Sequence, residues 1–178
     1  MEIYKIIYEE FILVDLNNIS TIINTYFENP YMVPLIISML PIAELRLAIP
    51  FAFIIQQLDL SKIIIVSILG NFLITMPLYF CIKYFSKILM QYKYLNLLFE
   101  WIFNRTRKKG TFIAKYRLYG LILFVGVPLP ITGAWTGCIA AYLFNLDIKQ
   151  TFIGLLLGIC LSASIVSIFT TLGYYAIN

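Results

Sequence analysis

PIAELRLAIP, residues 41–50, sets a carboxylate and a guanidinium, Glu44 and Arg46, between two prolines. The surrounding run from Tyr31 to Leu58 is otherwise uncharged. An ionisable group at membrane depth costs roughly 2.5–3.5 kcal/mol even on insertion-based scales, and such groups usually mark a pathway. This stretch therefore asks two questions at once: whether the chain lives in a bilayer, and what the two charges do there.

The composition answers the first. The chain has 178 residues, of which 61% are hydrophobic and 12% charged. A soluble domain carries about 25% charged residues, so too little charge is present to cover a water-facing surface. The chain contains no His, which removes the usual proton relay and most transition-metal chemistry. Cys81, Cys138 and Cys160 are widely separated in apolar stretches, so neither a metal site nor a redox pair is expected. No cofactor and no metal is expected, and no enzyme. The opening MEIYKIIYEE has acids where a signal peptide needs a basic region, and insertion is expected through the apolar segments themselves.

Outward from the charged stretch, the pattern is one of broken and unbroken segments. Residues 1–30 carry Glu2, Glu9, Glu10, Asp15 and Glu28, with apolar Ile3, Ile6, Ile7, Phe11 and Val14 at helical spacing. That predicts an amphipathic helix lying in the interface. Residues 31–58 are apolar but interrupted at Pro41 and Pro50, which remove backbone donors. Each flanking piece reaches about 15 Å, half the hydrocarbon core. Residues 63–82, IIIVSILGNFLITMPLYFCI, are uncharged and long enough to cross. Gly70 suits close helix approach, and Asn71 either faces a polar cavity or bonds to a neighbouring helix.

Residues 83–117 hold nine of the thirteen lysines and arginines, with Glu100 as the only acid. The positive-inside rule places this loop in the cytoplasm. Its densest part, RTRKKG at 105–110, follows from topology, so no nucleic-acid partner is expected; anionic lipid is the natural neighbour. Residues 88–103 are expected to form a second interfacial helix. Residues 118–144 are again uncharged and broken, here by GVPLPITGAWTG at 126–137. Pro128, Pro130, Gly133 and Gly137 are expected to shape this second break. Residues 151–177 are uncharged and span with tilt.

Broken segment, clean span, basic connector, broken segment, clean span: paired interrupted segments in two halves point to a transporter-type site. The predicted architecture is an all-α integral membrane protein of the cytoplasmic membrane. It is an inverted repeat of a re-entrant helical hairpin plus a transmembrane helix, with amphipathic interfacial helices. The single membrane domain divides into the interfacial helix 1–30, a first repeat 31–82, the basic cytoplasmic connector 83–117 and a second repeat 118–178. If both broken segments are hairpins, the two termini face outside; if all four segments are kinked spans, both termini are cytoplasmic.

The motifs MLPIAELRLAIP (39–50) and VPLPITGAWTG (127–137), with the Gly70-Asn71 pair between them, resemble the small multi-drug export protein family. The resemblance extends from residue 31 to about 175. That family is similar to the wider DedA superfamily, so the resemblance implies paired re-entrant hairpins. It also implies movement of lipid-linked phosphates or phospholipids and dependence on the proton-motive force. An acid in the first hairpin and an arginine in the second are associated with activity there. The acid maps onto Glu44. The second motif lacks an arginine, and the intramembrane arginine, Arg46, lies in the first hairpin instead.

The candidate substrate- and ion-binding residues are Glu44, Arg46, Asn71, Thr132, Trp135 and Thr136. Glu44 is assigned ion coupling. Arg46 offers a planar fork to a phosphate or carboxylate, while Thr132, Thr136 and the Trp135 indole supply neutral donors. On a single helix, residues two apart point in different directions; in a loop, Glu44 and Arg46 reach one ligand or each other. A purely structural ion pair stitching the hairpins together is the plainer alternative. The leading function is a transporter or flippase for an amphiphile with an anionic headgroup. Proton-coupled export of hydrophobic cations and a non-transporting assembly factor are the alternatives. The partners expected are membrane lipids and a small amphiphilic substrate, and the small size is compatible with a homodimer.

Overall fold

The computed structural model describes residues 18–89, 112–128 and 132–177, and all regular structure among them is helical. Helix α1 covers residues 18–26. Helix α2 is Met32–Met39 and α3 is Glu44–Pro50. The chain then continues through a π-helical turn, Phe51–Ile55. The long helix α4 is Leu60–Leu89. After the connector come α5, Phe112–Gly126, and α6, Ala134–Leu143. The long helix α7, Ile148–Ile177, closes the described chain.

Two of these helices are long and apolar enough to cross a bilayer. They are Leu60–Tyr84 within α4, with mean hydropathy 2.1, and Ile148–Ala176 within α7, with mean hydropathy 2.5. A span needs about 20 apolar residues, and α2, α3, α5 and α6 each fall short of it. On α4 the two faces separate cleanly. Ile65, Leu69, Leu73, Met76, Phe80 and Tyr84 are exposed, while Ile63, Ser67, Asn71, Thr75 and Tyr79 are buried. Both sets recur at three- to four-residue spacing, so one stripe is left for lipid and the other faces protein.

The short helices fold back in pairs. Val33 and Ile37 of α2 share an apolar cluster with Ala48 of α3 and Phe51 of the π turn. The first and last turns of this segment therefore lie side by side, with the break at Leu40–Ala43 as the tip. In the second pair, a Cβ on Gly137 of α6 would meet the Val125 and Leu121 side chains of α5. The main apolar core lies between the pairs and the long helices. Leu45 and Ile49 come from α3, Ile63 and Tyr79 from α4, and Leu121 and Val125 from α5. Ala134 and Cys138 of α6 and Leu155, Ile159 and Ala163 of α7 complete it.

Helices α4 and α7 run in opposite directions. Phe152, near the start of α7, stacks edge-on against Phe72 and Tyr79 of α4, at centroid distances of 6.2 and 5.8 Å. Tyr174, near the end of α7, stacks on Phe53, ahead of the start of α4, at 5.3 Å. Close approach between α7 and α5 depends on small residues. A Cβ on Gly158 would come within 2.7 Å of Val125 Cβ and 3.1 Å of the Ile122 carbonyl oxygen. This is the packing expected of the small-residue run from Gly154 to Ser167.

Several boundaries differ from the sequence reading. The first span is longer than 63–82, because α4 runs to Leu89 and takes Pro77 in its stride. Pro77 removes one donor from a long ladder, and the neighbouring bonds hold the helix together. Pro50 does not break its segment either. It sits inside α3, and the chain continues without interruption into the π turn. Helix α5 begins at Phe112, inside the stretch assigned to the connector, and α7 begins at Ile148 rather than residue 151. The interfacial helix assigned to 1–30 is described from residue 18, where α1 is helical. The interfacial helix assigned to 88–103, most of the basic connector and Pro130 lie outside the described residues.

Candidate functional site

The two tips meet. Glu44 opens α3 with a left-handed backbone, φ 48°, and is only 5% exposed. A non-glycine residue in this region is strained by about 1–3 kcal/mol and persists only where its surroundings hold it. Here the hold is visible. The backbone N–H of Trp135 donates to Glu44 Oε1 at 3.4 Å. This donor belongs to the first turn of α6, which has no side-chain cap of its own from Gly133. The carboxylate of one tip thus serves as the N-terminal cap of the other. A helix start carries orphan donors and about half a positive charge, so a carboxylate is well placed there.

Gly133 makes this contact possible. Its φ is 151°, a conformation reserved for glycine, and a Cβ there would collide with both carboxylate oxygens of Glu44. Of the residues expected to shape the second break, Gly133 is at the tip. Gly137 lies inside α6, where its missing side chain admits Val125 and Leu155. Pro128 follows the end of α5. Pro41 lies in the tip of the first pair, in the turn that precedes α3.

Arg46 reaches the same place. Its Nη2 donates to Thr132 Oγ1 at 3.1 Å, and that hydroxyl donates in turn to the Val127 carbonyl at 3.1 Å. The guanidinium is half-buried and lies within electrostatic reach of the Glu44 carboxylate. Glu44 and Arg46, two positions apart on α3, reach different partners at the same tip. The left-handed turn at Glu44 places its carboxylate over the start of α6, and the long arm of Arg46 spans to Thr132, ahead of that helix. A further bond locks the tips together: the Trp135 indole Nε1–H donates to the Met39 carbonyl at 3.2 Å. That carbonyl lies at the end of α2, where no intrahelical donor remains.

Four of the six candidate site residues are therefore assembled at one point: Glu44, Arg46, Thr132 and Trp135. The other two stand apart from this bonding. The Thr136 hydroxyl donates to the Gly133 carbonyl at 3.3 Å, within its own helix start. Asn71 is buried on α4, and its Oδ1 has no hydrogen-bond partner among the described residues. Its neighbour Gly70 lets α4 press against α2, since a Cβ there would meet Ser38 Oγ and the Leu35 carbonyl. Cys138, for which the sequence supports neither a metal nor a redox role, and Thr75, which it does not single out, tie α6 to α4 one turn above the tip. Cys138 Sγ lies 3.7 Å from the Thr75 carbonyl. Their spacing from Trp135 and Asn71 was visible, but a cysteine and a threonine in apolar helices carry no signal of their own.

A comparison with protein-family models matches residues 44–165 to the small multi-drug export protein family. The chain belongs to this family. The match covers well over half of the sequence and takes in α3 with Glu44 and Arg46, the second tip, the first long helix and much of the second. Comparisons with curated proteins and with solved structures return no match. Family membership and the two apolar helices together mark the chain as a membrane protein of an export family.

Proposed function

We propose that the two folded-back pairs are re-entrant hairpins, entering the bilayer from opposite sides, and that their meeting point is the substrate and ion site of a small exporter. The observation that carries this reading is the Glu44 carboxylate lodged against the first turn of α6. A buried charge of this kind is costly unless several donors face it. Here a donor comes from the opposite tip, so the charge state of Glu44 is tied to how the tips pack. Gaining a proton would weaken the attraction for the helix start and loosen the tip contact. Losing it would draw the tips together again. Such a coupling between protonation and packing is what ion-driven transport requires.

The substrate in this reading is an amphiphile with an anionic, phosphate-like headgroup. Arg46 supports it: its planar fork is suited to a phosphate oxygen pair, and the Thr132 hydroxyl beside it adds a donor. The family to which the chain belongs favours a second reading, export of hydrophobic cations. In that case Glu44 takes up cation and proton alternately, and Arg46 serves to hold the tips.

Purified protein in liposomes distinguishes the readings. Flux of a fluorescent anionic lipid and of a cationic dye is measured for wild type, Glu44→Gln and Arg46→Ala. The proposal expects Glu44→Gln to abolish flux while the protein stays folded, and Arg46→Ala to reduce lipid movement but not dye export. Full flux of both probes through Glu44→Gln would remove Glu44 from the mechanism. Loss of dye export alone in Glu44→Gln would favour the cation reading.

A further inference from the structure

A second polar feature lies at the far end of α6, about 15 Å from Glu44 by the length of that helix. A cavity of about 650 Å³ opens beside the turn between α6 and α7. Its charged lining is Lys83 of α4, Lys149 of α7 and Asp147 of the turn, a net single positive charge. Tyr79, Tyr142, Asn145 and Gln150 add side chains able to donate hydrogen bonds. None of these residues takes part in the bonding at the tips.

The turn that forms the cavity is well defined. Asn145 is left-handed, φ 52°, and the Leu146 N–H donates to the Ala141 carbonyl at 3.1 Å, the Asn145 N–H to Tyr142 at 3.0 Å. This pattern closes the end of α6 and occupies its last carbonyls. Helix α7 begins at once, its first backbone bond running from the Thr151 N–H to the Asp147 carbonyl at 2.8 Å. Residues Ile148, Lys149 and Gln150 therefore carry three of the donors that a helix start leaves without an intrahelical partner, and all three line the cavity. The adjoining Thr151 is fully buried, and its hydroxyl has no partner among the described residues.

The level of the cavity in the bilayer follows from the spans. Lys83 stands at the end of the apolar stretch Leu60–Tyr84, and Lys149 at the start of Ile148–Ala176. Antiparallel α4 and α7 bring both lysines to the same membrane face, at headgroup depth, with two tyrosines suited to that zone. The closed carbonyls of α6 and the open N–H groups of α7 make the backbone there donor-rich.

We propose that this cavity is a binding site for a phosphate-bearing anion, held by Lys83, Lys149 and the first turn of α7. Two sources share that chemistry, the headgroup of an anionic phospholipid and a free phosphate. The site is independent of the transport reading, since binding is read without flux. The test uses the full chain in detergent micelles with a neutral headgroup. Native mass spectrometry measures retention of phosphatidylglycerol against phosphatidylcholine, with and without millimolar inorganic phosphate.

Wild type is expected to retain phosphatidylglycerol preferentially. Lys83→Gln and Lys149→Gln each lower that preference about fivefold, the effect of about 1 kcal/mol per cation near a lipid surface. Lys149→Arg keeps it. Displacement by inorganic phosphate assigns the site to the free anion, and persistence of the lipid assigns it to the headgroup. Equal retention of the two lipids by wild type, with no displacement by phosphate, overturns the proposal. So does unchanged retention in both single variants with wild-type melting temperatures. If one variant fails to fold, the other and the Lys149→Arg comparison decide.

Discussion

The Trp135 backbone N–H and the Glu44 carboxylate, ninety-one positions apart in the chain, meet at 3.4 Å and join the tips of two folded-back helix pairs. This one contact caps α6, balances a buried charge and explains why Glu44 tolerates a left-handed backbone. Removing the carboxylate leaves the first turn of α6 with an unpaired buried donor, which costs about 1–3 kcal/mol. Glu44→Ala is expected to lower the melting temperature in detergent. Glu44→Gln keeps an acceptor oxygen in place and should melt much closer to wild type. Equal melting of Glu44→Ala and wild type would show that the cap does not hold the tips.

Gly133→Ala should be the most damaging of the glycine substitutions. It forces an L-residue into a conformation costing about 1–3 kcal/mol, and its methyl group displaces the Glu44 carboxylate. Gly120→Ala and Gly173→Ala provide the contrast. Both lie in helices with open space around the added carbon, so they should be neutral or stabilise by up to about 1 kcal/mol. Thermal melts of the three variants side by side check the ranking.

Gly70→Ala tests whether α4 and α2 approach as closely as described. The added methyl meets the Leu35 backbone carbonyl, which has no rotamer with which to move aside. Overpacking of this kind costs about 1–3 kcal/mol. The nearest atoms to a methyl group at Gly126 belong to the Leu161 side chain, which can shift, so Gly126→Ala should cost less. A reversed order in the measured melts would contradict the packing.

The Arg46–Thr132 bond is open to a double-mutant cycle. Arg46→Gln and Thr132→Val are each expected to destabilise, and together by less than their sum. The coupling should be about 0.5–3 kcal/mol, as for groups sharing one hydrogen-bond network. Strict additivity would place the two side chains out of contact.

Topology supplies a further check. With both pairs re-entrant, a reporter fused after residue 178 should lie outside the cell. A C-terminal reporter active only in the cytoplasm would favour four kinked spans.

Much of the architecture was legible along the chain, because hydropathy and helix breaking are local. A twenty-residue uncharged run is long and apolar enough to cross a bilayer by its own composition, so α4 and α7 could be read directly. Glu44 and Arg46 stood out for the same reason, as charges in a run without others. The prolines were less readable. Pro41 marks a tip, whereas Pro77 and Pro50 lie in continuous helical structure, because a lost donor is tolerated or not according to the neighbours that take over.

What the sequence alone determined is therefore a helical membrane chain with two interrupted segments and a pair of charges inside the first of them. Tertiary structure decided that the Glu44 carboxylate caps α6, that Arg46 spans to Thr132, and that Gly137 packs while Gly133 turns. It also set Lys83 and Lys149 around one cavity. The reason is physical: burial in lipid sums over neighbouring residues in a chain, whereas a hydrogen bond depends on atoms brought within about 3 Å of each other, and the partners here lie on different helices.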